Sequence, residues 1–592
     1  MDEKKDKRVD FMTDEEIKMV DGYLAKLSQN RGYMNSEYYS RWEKEEEAYK
    51  ADQPIIENRP NSRINIINAN IEGQIASIVD QNLAVICRGE GPSDDKFSKW
   101  GEIGIDWTLR KNRIKRVIER HEKRRGLHGA GIFKVYWDAD AVNKFGLAKI
   151  TCPPLTKVFF DNKVKDILNL QEADYIAEVM PKSKTWAENK FGEKIASVID
   201  YGFADRDPIF TEDKTTDDED TFYYIQLWTM TDKKLRLLEI SECGILLADS
   251  FKDKDGKKLK SPKPYYKYNK YPYFITNMYH EEGKLLGFGD GKLLRPLQDM
   301  INDLYDQIRR ASRPNRVFFD PNSEVDLEEL DTDDGPIPCN DPSTTIRVVE
   351  VGKPSSNLWG LLSNIHTEAQ RVTRFSELMT GQGTKAQTAT EAAIQQQQGN
   401  TSVDHKKTML QDTLVEVCEY CLSLMMENYT EAKAFRISED KEDFLWIDFN
   451  QLNDIPMMVP ADSSFEKEYR ERNDSTPEWM QLMDGEKGKT KEVEFDIEIN
   501  IGAGLPKNKA FIYEMLEKLA TIVLDGRNLI SWTEFRKLAK DFLGLPLDDD
   551  DEVTQQMQQE QMQAQAQGML QSPDTMGLSQ HNAPMMGGGM GG

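Results

Sequence analysis

No run of apolar residues in this chain approaches the ~20 needed to cross a bilayer as a helix. The charged start "MDEKKDKRVDFMTDEE" also lacks the apolar core of a secretory leader, so a soluble protein is expected. Histidine and cysteine are scarce, at six each among 592 residues. The histidines are dispersed and no HExxH occurs, which removes the helical zinc-hydrolase arrangement. Cys87, Cys152, Cys243, Cys339, Cys418 and Cys421 are too scattered for a disulfide framework and fit a reducing compartment. Cys418 and Cys421 form a CxxC, but within "LVEVCEYCLSLMM" apolar residues recur at helical spacing and no second pair or nearby histidine completes a site. Core packing is expected there rather than metal or redox chemistry. A basic excess is missing too: 103 Asp and Glu face 77 Lys and Arg, a net charge of −26. An isolated nucleic-acid binder is normally basic, because neutralising phosphates drives its association. Simple DNA binding is therefore disfavoured, whereas an acidic wall that must not grip DNA fits.

Complete phosphate-binding loops are also lacking. "GEKGKT" (Gly485 to Thr490) ends like a Walker loop, but Met483 occupies the required glycine position and a strand-like segment follows where a helix should begin. "GFGDG" (Gly287 to Gly291) precedes a helix, where amides bind anions, yet it has no GxGxxG spacing and reads as a hinge. No catalytic constellation, metal site or cofactor site emerges. The densest positive run, Arg110 to Arg125, reads as the solvated face of a helix buried through Ile114, Val117 and Ile118, with nucleic-acid contact as the competing reading.

What the chain does contain is pattern. Its length suggests about four domain-sized units. Thr13 to Glu16 forms a capping box, followed by Ile17, Val20, Leu24 and Leu27 at helical spacing. A second helix and an extended segment are expected over "INIINANIEGQIASIVDQNLAVICRGEG", then one basic helix leading through glycines into a strand at "GIFKVYWD". Short strands follow at "KVFFD", "YIAEVM", "YYIQLWTM" and "YPYFITNMYH". Beyond Gly283 an apolar stripe of Leu293, Leu297, Met300/Ile301, Leu304, Ile308 and Ala311 predicts a helix with Pro296 in its first turn. A proline-containing insert (Pro314 to Gly352) precedes a second amphipathic helix through Leu358, Leu361/Leu362, Ile365, Ala369, Val372, Phe375 and Met379. Gly381 and Gly383 end that helix, "GQGTKAQ" forms a polar joint, and Thr388 with Glu391 forms a capping box for a third helix. That helix reaches about Tyr429, with a continuous apolar stripe only past Met409. "VEFDIEINIGAGLP" reads as a strand, "NKAFIYEMLEKLATIVLDGRNLISWTEFRKLAKDFLG" as a small helical module, and the Gln/Met-rich, then Gly-rich tail as compositionally disordered. The expected fold class is α+β, predominantly helical.

The order helix, extended insert, helix, short polar joint, long helix resembles the portal proteins of tailed bacteriophages, in the longer-chain branch typical of short-tailed phages. The resemblance is carried by "PYFITNMYHEEGKLLGFGDGKLLRPLQDMINDLYDQIRR", "ELMTGQGTKAQTATEAAIQQQQG" and "FDIEINIGAGLPKNKAFIYEMLEKLA", and spans roughly Tyr39 to Leu545. It implies a wing (1–290), a stem helix (291–313), a clip (314–354), a second stem helix (355–381), a tunnel loop (382–388), and a long helix with β segment and crown (389–545). The remainder (546–592) is a disordered tail or a weak helical barrel. It further implies a homo-oligomeric, dodecameric ring at the capsid vertex with no catalysis or cofactor of its own. Double-stranded DNA would transit the channel, and the terminase large subunit, tail adaptor proteins, major capsid protein and scaffolding protein would be partners. Gln382, Gly383, Thr384, Lys385 and Gln387 would line the channel. Asp299, Asp303 and Asp306 would form an acidic stem face that repels the DNA backbone. Arg309, Arg310, Arg313 and Arg316 would form a basic collar touching DNA or partners, or alternatively pair with the helix C-terminus. Competing functions are another virion structural or ejection protein, or a DNA-processing enzyme.

Overall fold

The computed structural model describes residues 8, 11–52, 62–79, 83–91, 94–201, 220–253, 257, 259–311, 316–319, 346–349, 356–373, 389–436, 444–453, 455–456, 458–460, 479–481, 490–501, 523–524 and 527–528. The chain divides into two compact units, Met1–Ile501 and Gly502–Gly592. The first is a mixed α+β unit.

Helix α1 (Asp14–Met34) begins at the expected capping box: Glu16 N donates to Thr13 Oγ1 (3.4 Å) and Thr13 N donates to Glu16 Oε2 (3.0 Å). A π-helical turn (Asn35–Tyr39) leads into α2 (Ser40–Lys50). Next come α3 (Ile66–Val79) and strand β1 (Leu83–Gly89), matching the helix-then-extended expectation. The basic run differs from expectation. It forms two helices, α4 (Ser98–Lys111) and α5 (Ile114–His128), because Arg113 takes a left-handed conformation (φ 52°) that breaks the helix between them.

From β2 (Ala130–Asp138) the single turn α6 (Ala141–Lys144) leads to β3 (Leu147–Thr151). There follow β4 (Val158–Phe160), β5 (Tyr175–Ser183), α7 (Lys184–Phe191), α8 (Glu193–Ala196), β6 (Thr221–Thr231), β7 (Lys234–Ser241), β8 (Leu246–Asp249) and β9 (Tyr273–Asn277). All five expected strands form, whereas β3, β7 and β8 were not anticipated. β4 to β8 make an antiparallel sheet in sequential order, and β3-β2-β9 make a second. Side chains alternate across a strand. On β6, Tyr223, Ile225 and Leu227 therefore meet Val20 and Leu27 of α1, while Phe222 and Tyr224 meet Ala187 and Ala196 of α7 and α8.

Helix α9 (Asp290–Ala311) runs into β10 (Arg316–Phe319), which pairs antiparallel with β11 (Ile346–Val349) ahead of α10 (Ser356–Thr373). Pro296 lies inside α9 rather than in its first turn, because the helix starts at Asp290. The "GFGDG" segment packs as a junction rather than an open hinge. A Cβ on Gly291 would sit 2.5 Å from the Leu127 carbonyl oxygen, and Gly287 and Gly289 are pressed on the backbone of Tyr279 and Gly126. Helix α11 (Ala389–Asn428) starts where expected, and its stripe Leu410, Leu414, Val417, Cys421 and Leu424 is buried. Phe375, Met379 and Thr388 lie outside the described residues.

Among the described residues that follow, besides a 3-10 helix at Phe449–Asn453, β12 (Lys433–Arg436) pairs with β13 (Phe444–Ile447), β14 (Ile455–Pro456) with β17 (Thr490–Lys491), and β15 (Met458–Pro460) with β16 (Trp479–Gln481). β18 (Phe495–Ile501) returns to pair with β1, from Leu83 opposite Ile501 to Gly89 opposite Phe495. One core therefore joins Ile103, Ile132 and Phe274 to Leu414, Cys418 and Ile497. In the second unit, β19 (Val523–Leu524) pairs with β20 (Arg527–Asn528) around Asp525-Gly526. Both short strands fall inside the segment read as a small helical module.

Candidate functional site

Helices α9 and α10 pack through Ile301, Leu304 and Ile308 on one side and Leu362 and Ile365 on the other, with Ile64, Ile66 and Leu297 at the margin. The apolar stripe read from sequence is present but not wholly buried. Met300 is 48% exposed, and on α10 Trp359 (51%), Leu361 (44%) and Val372 (38%) also face out. The β10–β11 ladder lies between these two helices in the sequence.

A polar ladder on α9 was not anticipated. Gln298, Asn302 and Asp306 are four residues apart, which places them on one face. They accept, in order, the backbone N–H groups of Ile67 (3.2 Å), Ile64 (2.8 Å) and Ser62 (2.8 Å). Gln298 Nε2 also donates to Ala48 O at 2.8 Å. The extended approach to α3 thus has its amides satisfied by a helix face instead of a neighbouring strand. Asn65 completes the entry by accepting from Asn68 N at 2.9 Å, as a helix-capping side chain does.

The three carboxylates expected to form an acidic face of α9 consequently divide. Asp306 is half-buried and holds Ser62, whereas Asp299 and Asp303 lie exposed one turn apart. Partial burial raises the pKa of Asp299, opposed by Arg295 3.8 Å away and reinforced by Asp303. Arg309 is exposed and Nη1 reaches Ser62 Oγ at 3.5 Å. Arg310 lies in the last turn of α9 and Arg316 opens β10, opposite Val349. Arg313 and the joint residues Gln382, Gly383, Thr384, Lys385 and Gln387 lie outside the described residues.

Where α3, α5, α9 and α11 converge, a buried polar hub forms that sequence reasoning missed. Asp290 is fully buried. It accepts from Gln74 Nε2 (2.8 Å), Tyr279 OH (2.9 Å) and Lys406 Nζ (3.1 Å). Lys406 also donates to Gln74 Oε1 at 2.7 Å, and its backbone carbonyl accepts from Arg125 Nη2 at 3.0 Å. Arg125 pairs with Glu122 at 2.7 Å, and Glu122 in turn contacts His121 Nδ1 at 2.9 Å. His121 stacks on Phe133 with centroids 4.0 Å apart. Asn70 extends the hub by donating to Thr373 Oγ1, the last residue of α10, at 2.9 Å. Burial lowers the pKa of Lys406 despite Asp290, and lowers that of His121 despite Glu122. For Glu122, burial pushes upward, but Arg125 and His121 outweigh it and the net shift is down.

This hub ties Lys406, within α11, to the start of α9 at Asp290. Two residues could have flagged it: Asp290, an acid among packed glycines, and Lys406, a cation on the side of α11 that leads into its apolar stripe. Cys418 and Cys421 are buried thiols whose pKa values burial raises, as core packing requires. Among the described residues, no group of three His, Cys, Asp or Glu is placed to hold a metal ion, and no helix is long and apolar enough to cross a membrane. No family model matches the chain, and no curated protein does.

Proposed function

We propose that the chain is a portal subunit of a tailed bacteriophage. In this reading, copies close into a dodecameric ring at the capsid vertex, through which double-stranded DNA is packaged and ejected and on which terminase and tail adaptors dock. The observation that carries this reading is the succession α9, β10–β11, α10. Its two helices share an apolar seam, yet leave Met300, Trp359, Leu361 and Val372 outside it. In a ring, adjoining copies would cover these side chains. Asp299 and Asp303 supply an exposed acidic surface suited to a bore that must not grip phosphates. Within the reading, α9 and α10 are the stem, β10–β11 the base of the clip, and the joint with Lys385 the tunnel loop. The hub at Lys406 and Asp290 would hold the long helix and the stem in register.

Native mass spectrometry of the purified full-length chain tests the proposal. A closed ring of twelve copies is expected, and a stable monomer under assembly-favouring conditions would overturn it. Lys385→Glu should then alter DNA retention or packaging while leaving ring size unchanged. Arg309→Glu with Arg313→Glu tests the basic collar through packaging and terminase binding.

A further inference from the structure

The basic helix α5 has one face that the fold does not use. Ile114, Ile118, His121, Glu122 and Arg125 are buried, while Lys115, Arg116, Glu119, Arg120 and Lys123 are exposed on the opposite side. Exposed Lys111 and Arg113 extend the same surface at the break from α4. The ion pairs of α5 among the described residues, Glu122 with His121 and Arg125 and His128 with Glu45, all lie on the buried side. Lys123 rests over the Tyr49 ring, 4.3 Å from its centroid, and feels Glu46 across a groove. Along 111–120 Glu119 is the one carboxylate beside Lys111, Arg113, Lys115, Arg116 and Arg120, while Glu43 and Glu46 line the groove that Arg120 and Lys123 flank.

At the N-terminal end of α5 this placement works against local helix stability. The N-cap Arg113 makes no side-chain cap, the first turn contains no acid, and Lys115 and Arg116 sit where the helix dipole disfavours cations. Arg116 and Arg120 repel one another at i,i+4. A charge pattern that opposes its own helix points to a role outside folding. The chain as a whole carries −26, so the patch is also a local reversal of sign.

We propose that this face of α5 binds the phosphate backbone of double-stranded DNA. Three arguments favour a duplex over other polyanions. Arginine, whose fork of donors matches phosphate oxygens, contributes three of the five cations at Arg113, Arg116 and Arg120. Among the described residues no large exposed apolar side chain occurs on α4 or α5, so the face lacks the aromatic or aliphatic anchor on which protein partners depend. The same lack removes the stacking platform that unpaired bases need. The proposal stands independently of ring formation, since it concerns one helix of one subunit.

The test is fluorescence anisotropy of a short labelled DNA duplex titrated with the full-length protein, starting at low salt, beside the variant Lys115→Glu/Arg116→Glu/Arg120→Glu. All three side chains are exposed, and matching thermal midpoints check that the variant folds. The expected result is a loss of affinity of roughly tenfold or more, with the slope of log affinity against log salt flattened by about 2 to 3, near one unit per lost phosphate contact. Arg116→Lys/Arg120→Lys should retain most of the binding. Equal affinity and slope for wild type and the charge-reversed variant would overturn the proposal, as would absence of binding by wild type. Competition by polyglutamate as effective as that by unlabelled duplex at matched charge would also overturn it, assigning the face to an acidic polypeptide.

Discussion

The β4–β8 sheet and the α9–α10 pair hide apolar surface to very different depths. In the sheet, Phe222, Ile225 and Leu227 are 0% exposed because α1 covers one face and α7 with α8 the other. In the helix pair, comparable side chains such as Trp359 remain half in solvent. The sheet is complete within one chain. The pair is complete only along its seam, and another face of α9 spends Gln298, Asn302 and Asp306 on the backbone entry to α3. The contrast separates two kinds of residue: those that the fold of one chain buries, and those that it leaves in solvent.

Four experiments break or sharpen the contrast. Phe222→Ala, in the sandwiched strand, should destabilise the first unit by about 3–5 kcal/mol, measured by denaturant unfolding. Lys406→Met, which leaves Asp290 buried without its cation, should cost about 3 kcal/mol. Adding Asp290→Asn should recover much of that loss, and a double-mutant cycle would measure the coupling. If Lys406→Met proved neutral, the hub would not be what fixes α11 against α9.

Acid separates the regions more gently. The folded protein keeps His121 neutral among Glu122, Arg125 and Phe133, so its pKa lies below the ordinary 6.5. The unfolded chain then binds the extra proton, and stability falls as pH drops below 6.5, with a slope of at most about 1.4 kcal/mol per unit, and is fully present above it. His121→Gln should remove that component from a plot of denaturation midpoint against pH. The smallest effect belongs to Trp359→Ala, which should change the stability of an isolated subunit by no more than about 0.5 kcal/mol while weakening assembly in sedimentation velocity. A large loss of subunit stability there would mean that the exposed indole is part of the fold after all.

Much of this architecture was legible in the sequence wherever one element's own pattern decided it. The capping box at Thr13, the apolar stripe of α11 and the β-branched and aromatic runs of β2, β5 and β6 each depend on neighbours a few residues away. Helix α2 was missed because "SRWEKEEEAYK" is almost all charge and its burial rests on Trp42, Ala48 and Tyr49. The break at Arg113 has no glycine or proline to announce it. Pro296 was misplaced because the start of α9 is set by glycines packing on α5, a contact between segments more than a hundred residues apart. The hub was invisible for the same reason: Gln74, Asp290 and Lys406 meet only after folding. Of the residues anticipated for function, Asp299 and Asp303 lie on an exposed face, whereas Asp306 serves the entry to α3.

The partnership of β1 with β18 has a consequence for biosynthesis. Leu83–Gly89 must wait for Phe495–Ile501 before its ladder can close. At ribosomal speeds of about 5–20 residues per second, that interval lasts roughly 20 to 80 s. Throughout it a strand containing Val85 and Ile86 has an open edge, the kind that recruits other chains. A nascent polypeptide stalled or cleaved anywhere between these strands would keep that edge bare, so premature termination should yield aggregates rather than a smaller working subunit.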